Sequence, residues 1–340
     1  HVSLVTFQAS GLQISNVFFQ AERNGMTTPP LRILFAGSGE FGLPTLRALL
    51  DSRHQLVQVI TQPDRPAGRG RGMTPTPIGT FADEAGVPAL RTANINAEAL
   101  AEADLMVVIA FGQKIAPRQV DHPRLGSINL HASRLPACRG AAPINWAIIN
   151  GEPVTGNSVI RLAQKMDAGA ILAQSALMIG EVETAGELHD RLAQDGVGLV
   201  LGVCDALASG TAKEVPQDES QATIAPKLSR ESARLDFTRP ALELAGRIRG
   251  LYPWPGCRVR LCDAEGTEIT RLRLVRARAW PAGDDTRWLP GEITAAGTVQ
   301  SGDGTIELVE VQPEGGKPMP IEAYKRGHRW QAGLRVQNSD

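Results

Sequence analysis

Residues 31–42 read LRILFAGSGEFG, an apolar run that empties into Gly37, Gly39 and Gly42. A short apolar segment followed at once by small residues marks the first βα turn of an open α/β sheet. The G-x-G-x-x-G spacing is that of a dinucleotide-binding turn, where glycines let the backbone approach a pyrophosphate. That fingerprint also asks for a carboxylate about 20 residues on, at the end of the second strand. Asp64 stands 22 residues past Gly42, but inside a Pro-rich loop. An NAD-dependent oxidoreductase is therefore one reading of the chain, and the rest of the sequence has to decide it.

Outward from this turn, β-rich runs alternate with helical patterns. RILFA (32–36) precedes a helical stretch over 40–52, and QLVQVIT (55–61) is the second strand. A helix near 77–86, the run DLMVVIAF (104–111), a short helix near 115–120 and GSINLH (126–131) follow. Runs apolar on both faces, separated by helices, indicate a mostly parallel, Rossmann-like sheet covered by helices on both sides. SVIRLAQ (158–164) and AILAQSALMI (170–179) add strands, and 183–210 reads as one long amphipathic helix ending at Gly210. Residues 211–228 are polar, contain Pro216 and Pro226, and read as a connector. Beyond 229 a helix (240–250) precedes GCRVRL, TRLRLVRARAW, GEITAA, GTVQ and TIELVEVQ. Short strands broken by Gly, Pro and Asp predict a small antiparallel barrel of the five-stranded oligonucleotide-binding (OB-like) type. The expected organisation is an extension without function over 1–30, an α/β catalytic domain over 31–210, the connector over 211–228, and the β-barrel domain over 229–340.

The 340 residues carry 35 Lys and Arg against 36 Asp and Glu, a formal charge of −1, so any nucleic-acid-binding surface must be local. Residues 229–340 hold 17 basic against 15 acidic residues, only +2. Cys138, Cys204, Cys257 and Cys262 form no C-x-x-C pair, which suits reduced thiols in a cytoplasmic protein and gives no metal-ligand pattern. No apolar run approaches the roughly 20 residues of a membrane span. Residues 1–25 contain one basic residue, Arg23, and lack the charged start of a signal peptide.

The densest polar cluster is SINLHASRLPACRGAAPINWAIINGE, residues 127–152. Asn129 and His131 lie two apart at the end of a strand, so both project from one face, at the strand end where open α/β sheets place ligands. Asp167 follows 36 residues after His131, in a turn before another strand. An Asn, a His and an Asp together can supply an oxyanion donor, a general acid or base and an orienting carboxylate. The same residue types also serve as turn and capping groups or as a hydrogen-bonded core histidine. Spacing leaves both uses open.

NLHASRLPACRGAAPINWAI (129–148) with MDAGAIL (166–172) resembles the folate-dependent formyltransferases, whose motif is N-x-H-x-S-L-L-P-x-x-R-G followed at a distance by D-x-G. The resemblance implies catalytic roles for Asn129, His131 and Asp167, and a folate-binding segment at Ser133, Arg134, Leu135 and Pro136. Arg134 replaces the usual leucine, and its guanidinium either faces solvent or engages the folate's glutamate tail. TQPDRPAGRGRGMTPTP (61–77), with Arg65, Arg69 and Arg71, resembles the loop insertion of the family's tRNA-acting branch, the methionyl-tRNA formyltransferases. In that branch the loop wedges against the acceptor end of initiator tRNA. LSRESARLDF (228–237) and LYPWPGCRV (251–259) resemble the start of its C-terminal domain, a barrel that helps hold tRNA. Within TRLRLVRARAW, Arg271 and Arg273 share one strand face, and Arg276 and Arg278 share another beyond a break in alternation.

What the resemblance implies is transfer of a formyl group from 10-formyltetrahydrofolate to the methionyl amine of initiator Met-tRNA, by a monomer that needs no metal, NAD or membrane. Amino-sugar-nucleotide formyltransferases share the Asn–His–Asp core and are the nearest alternative. A pure RNA-binding module would leave that core unexplained. In the tRNA-acting branch the opening turn reads close to G-T-P-E-F, so the glycine triplet marks a βα turn and implies no dinucleotide.

Overall fold

The computed structural model describes residues 29–67, 72–282 and 287–339, and two short paired strands, Gln8–Ala9 with Leu12–Gln13. Apart from that strand pair and residues 29–30, the extension expected over 1–30 lies outside the described residues, as do Arg69 and Arg71. The chain forms two compact units that interleave along the sequence. The first takes residues up to Gly140 with Gly156–Leu177 and Asp190–Ile224, and the second takes Ala141–Thr155, Met178–His189 and Ala225–Asp340. The connector expected at 211–228 spans the last of these changes; the earlier ones carry no compositional signal.

In the first unit, seven strands make one sheet: β1 (Arg32–Gly37), β2 (Gln55–Thr61), β3 (Ala89–Arg91), β4 (Leu105–Ile109), β5 (Ser127–His131), β6 (Ser158–Arg161) and β7 (Ile171–Gln174). Their spatial order is β7-β6-β5-β4-β1-β2-β3. The five strands from β3 to β5 run parallel, while β6 and β7 are added antiparallel. Strand β4 is buried at every position, and Ile33, Leu34, Phe35 and Ala36 of β1 are inaccessible, as a sheet covered on both faces requires. Each large apolar side chain so buried contributes about 1.5–3 kcal/mol of transfer free energy. The connections run through α1 (Leu43–Leu50), α2 (Pro77–Glu84) and α3 (Pro117–Val120). Thr76 starts α2 by accepting the Gly79 amide at 2.9 Å, with Pro77 in the first turn.

The glycine triplet resolves into separate local needs. A Cβ at Gly37 would come within 2.7 Å of Phe35 Cε1 and 2.8 Å of Ile109 O, so this glycine serves the closeness of β1 to β4. At Gly39 the nearest contact would be an ordinary 3.6 Å to Ala110 Cβ, and its φ of −84° suits any residue. Ser38 secures the turn instead: its Oγ accepts from Gln62 N at 3.1 Å and donates to Phe111 O at 3.3 Å. Asp64, the carboxylate a ribose would need, forms an ion pair with Arg91 Nε at 3.3 Å.

The second unit contains α4 (Pro143–Ile149), the first residues of α5 (Ala185–Ala208), α6 (Ala241–Gly250) and the barrel strands. These are β8 (Arg258–Cys262), β9 (Glu268–Trp280), β10 (Val299–Gln300), β11 (Thr305–Pro313) and β12 (Arg335–Asn338), in the order β10-β11-β9-β8-β12. Closure comes from 291–293. Val336 N donates to Gly291 O and Ile293 N to Leu334 O, both at 2.8 Å, while Gly291 N donates to Gln300 O at 2.9 Å. Of the expected strand GEITAA, only Glu292 and Ile293 pair, as isolated bridges. Helix α7 (Ile321–Gly327) is an addition that the sequence pattern did not announce. The break in alternation along β9 is a bulge: the register shifts at Arg276, and Leu274 and Val275 are both buried.

That bulge aims Arg276 at Glu187 in the first turn of α5. Thr184 and Glu187 form a capping box, and Arg276 grips the same carboxylate through Nη1 at 2.6 Å and Nη2 at 2.5 Å. The Arg276 hydrogen bond is the main reason the Glu187 carboxyl is held down to about 2 from the usual 4.5. A depressed carboxyl stabilises the fold above its unfolded value and loses that contribution as pH falls through its folded one. Glu187→Gln should therefore flatten the acid limb of the stability curve below about pH 4.5, as followed by circular dichroism. With the side chain 47% exposed, the loss at neutral pH should not exceed about 1 kcal/mol. An acid limb identical to wild type would contradict this assignment.

Candidate active site

Asn129 and His131 sit on one face of β5 near its carboxyl end, with Leu130 on the other. Asn129 lies in register with Val108 of β4 and Ile160 of β6 and is half-buried. Its side-chain amide makes no hydrogen bond among the described residues, so its donors are available to a ligand. His131 is 6% exposed, and its Nε2 lies 2.9 Å from Cys138 O. A carbonyl only accepts, so Nε2 carries the proton and donates it. That leaves Nδ1 facing Asp167 Oδ2 at 3.7 Å. The same carboxylate oxygen accepts the Gly140 amide at 2.9 Å.

Backbone strain gathers around these groups. Asp167 has φ 51°, Cys138 φ 58°, and Ala110, just past β4, φ 47°; among the described residues they are the non-glycine residues with positive φ. Each such residue costs about 1–3 kcal/mol unless its surroundings over-determine it. Asp tolerates this region better than most residues do. The glycine of D-x-G has a steric reason: a Cβ on Gly169 would sit 1.8 Å from Arg161 O.

The segment expected to bind folate is pinned through its backbone. Ser158 Oγ accepts from Leu135 N at 3.0 Å and donates to Ser133 O at 2.6 Å, while Gln174 Nε2 donates to Leu135 O at 2.7 Å. Ser133 Oγ closes the turn onto Ala137 O at 2.7 Å, and Pro136 O accepts from Thr223 N at 3.4 Å. Arg134 is exposed, and its side chain makes no hydrogen bond or ion pair among the described residues; it faces solvent.

Three residues missed in the sequence hold this loop: Arg139, Gln217 and Glu219. Arg139 is 3% exposed, with Nε and Nη2 on Gln217 Oε1 at 3.1 and 2.7 Å and Nη1 on Glu219 at 3.0 Å. Arg139 stood within the quoted motif. Gln217 and Glu219 had no signal beyond a polar connector.

Of the loop arginines, Arg65 is described: it is exposed, donates to Gln62 Oε1, and opens the antiparallel pair Arg65–Ala67 with Gly72–Thr74. In the second unit the expected basic stripe narrows. Arg276 is engaged by Glu187 and Glu310, and Arg278 by Glu181 at 2.9 Å and Glu307 at 3.3 Å, so neither is spare. Across β8 and β9, however, Arg258 pairs opposite Arg273, and Arg260 opposite Arg271. Like charges directly opposed on a strand pair are unfavourable without an anion to share. Glu268 pairs with Arg271 at 2.8 Å, and Arg273 lies over the Tyr252 ring at 5.0 Å. The buried Nε atoms of Arg260 and Arg273 make no hydrogen bond. Arg258, Arg271 and Arg273 line a groove of about 190 Å³ with Gln312 and Glu314.

All four cysteines are buried and outside any disulfide, and burial pushes the Cys204 and Cys257 thiols up to about 12. Among the described residues no three His, Cys, Asp or Glu side chains gather as a metal site, and no helix is long and apolar enough to cross a membrane.

Comparison with known proteins places this geometry. Residues 31–203 match the formyl transferase family and residues 227–329 its C-terminal domain. The methionyl-tRNA formyltransferase of Ectopseudomonas mendocina is 42% identical over 311 residues, 88% of this chain and 96% of that protein. Its counterpart in Moorella thermoacetica is 38% identical over 308 residues, 88% and 96% of the two chains. Among solved structures, the sugar 3N-formyl transferase WlaRD aligns with a TM-score of 0.61 at 16% identity, over 83% of this chain and 97% of its own. An N-formyltransferase from Helicobacter canadensis aligns with a TM-score of 0.60 at 15% identity, over 85% and 100%. At such identities the solved structures speak for the fold alone. With both family domains matched in order and its relatives aligned over nearly their whole length, the chain belongs to the methionyl-tRNA formyltransferases of the formyl transferase family.

Proposed function

We propose that the chain transfers the formyl group of 10-formyltetrahydrofolate to the amino group of methionine on initiator Met-tRNA, with Asn129, His131 and Asp167 as its catalytic residues. The observation that carries this reading is the buried His131 ring, its Nδ1 facing Asp167 while the Asn129 amide beside it stays unspent. The attacking amine must lose a proton as it bonds to the formyl carbon. Nδ1 of His131 takes that proton, the Asp167 carboxylate stabilises the imidazolium so formed, and the ring returns the proton to the departing folate nitrogen. Asn129 donates to the formyl oxygen as negative charge develops on it. The backbone-pinned segment Ser133–Pro136, with Arg134 at its solvent edge, is the surface for the folate substrate.

Arg65, Arg69 and Arg71 are the proposed contacts of the 61–77 loop with the tRNA, since guanidinium groups pair with phosphates and stack on bases. The opposed arginines of β8 and β9 offer the barrel's local basic face for the same polyanion. The proposed activity fits a cytoplasmic protein, and we propose that it acts as a monomer. Amino-sugar formylation is the second reading, since the Asn129–His131–Asp167 group would serve it equally, but it leaves the 61–77 loop without a use.

Asn129→Ala should lower the formylation rate by about 10²–10³, the usual worth of an oxyanion donor. His131→Ala should lose about 10²–10⁴, in keeping with a positioned acid or base. Both proteins should keep the wild-type circular dichroism spectrum, and near-wild-type formylation of Met-tRNA by either would contradict the assignment. Arg69→Ala should impair formylation of Met-tRNA more than hydrolysis of the formyl-folate alone. Equal losses in the two reactions would remove the loop from tRNA recognition.

A further inference from the structure

Gln217 lies in the polar connector and touches neither His131 nor the Asp167 carboxylate, yet its amide is fully engaged between the two halves of the site. Nε2 donates to Asp167 O at 2.7 Å and to Gly169 O at 2.8 Å. Oε1 accepts from Arg139 Nε at 3.1 Å and Nη2 at 2.7 Å. An amide has two donors and two acceptor positions, and all four are used. The carbonyls it holds flank the left-handed turn that presents the Asp167 carboxylate. The arginine it holds belongs to the loop whose Cys138 O accepts from His131 Nε2 and whose Gly140 N donates to Asp167 Oδ2. Glu219 braces the same two sides from outside, pairing with Arg139 at 2.9 Å and with Lys165, two residues before Asp167.

We propose that Gln217 is a positioning residue: through the Asp167–Gly169 carbonyls it sets the strained turn that aims the Asp167 carboxylate at His131. This rests on the reading of Asp167 as the partner of His131. No other side chain of this length both donates twice and accepts twice. A glutamate keeps the acceptor for Arg139 and loses both donors, so Gln217→Glu separates the hold on the loop from the hold on the turn.

The test is a set of steady-state and single-turnover measurements on Gln217→Glu, Asp167→Asn and the double variant, with 10-formyltetrahydrofolate and Met-tRNA. Displacing a reacting group by about 1 Å can cost 10²-fold, so Gln217→Glu should lower kcat roughly ten- to hundredfold. KM for both substrates should stay unchanged. The Gly140 amide resonance, read in protein labelled with 15N-glycine, should shift, because that amide reports where Asp167 Oδ2 sits. In the double variant the two losses should not multiply. Gln217→Met, uncharged and of similar length, releases loop and turn together; it is measured alongside in case the added charge unfolds the protein, and should lower kcat at least as much.

Wild-type kcat in a folded Gln217 variant, an unmoved Gly140 resonance, or losses that multiply would each overturn the proposal. If Asp167→Asn itself keeps full activity, the catalytic reading of Asp167 has failed. If Asp167→Asn is impaired while Gln217→Glu and Gln217→Met are not, only the role of Gln217 has failed.

Discussion

A buried imidazole has to give its ring proton to an acceptor, and in this protein the Cys138 carbonyl takes it. Much of the site follows from that one hydrogen bond. It fixes the tautomer, leaving Nδ1 as the basic nitrogen, and so determines which side of His131 can exchange a proton. To deliver the carbonyl, Cys138 adopts a left-handed backbone, and two residues later the Gly140 amide points at Asp167 Oδ2. The loop and the Asp167 turn are therefore mutually constrained. The strain in both is supported by Arg139, Gln217 and Thr223, the last accepting the Cys138 amide at 2.8 Å. If the proposed catalytic roles hold, such a site is preorganised: its polar groups are oriented before any substrate arrives, which is where electrostatic catalysis draws its advantage.

Charge is used differently in the second unit. The chain is close to neutral overall, and the arginines of β9 beyond its bulge are consumed by glutamates, one of which caps α5. Those pairs are architecture. What remains for a polyanion is local, the opposed arginines before the bulge, where burial leaves two guanidinium nitrogens unsatisfied. The bulge thus divides a single strand into a half whose arginines oppose other arginines and a half whose arginines are paired with glutamates.

Much of this was legible in the sequence. The parallel strands announced themselves because runs such as Leu105–Ile109 are apolar on both faces, and the strand Gln55–Thr61 falls at the expected residues. Asn129 and His131 followed from the two-residue period of a strand. The antiparallel sense of β6 and β7 did not, because strand direction is set by connection geometry and not by side-chain pattern. Helix α7 and strand β12 were missed because IEAYKRG and RVQN contain no apolar run to mark them. Asp167 stood out beside them by position, but only the resemblance gave it weight, since a single Asp in a turn looks like any turn residue. Gln217 was invisible: its importance lies in four hydrogen bonds to groups distant in sequence, and a polar connector predicts none of them.

The central claim is that this preorganised site serves a tRNA-borne amine. The most direct measurement offers radiolabelled 10-formyltetrahydrofolate together with equimolar initiator Met-tRNA and a dTDP-amino sugar, and follows the label into each. Label should enter the Met-tRNA, with none above background in the sugar nucleotide. Label in the sugar nucleotide at a comparable or greater rate would contradict it.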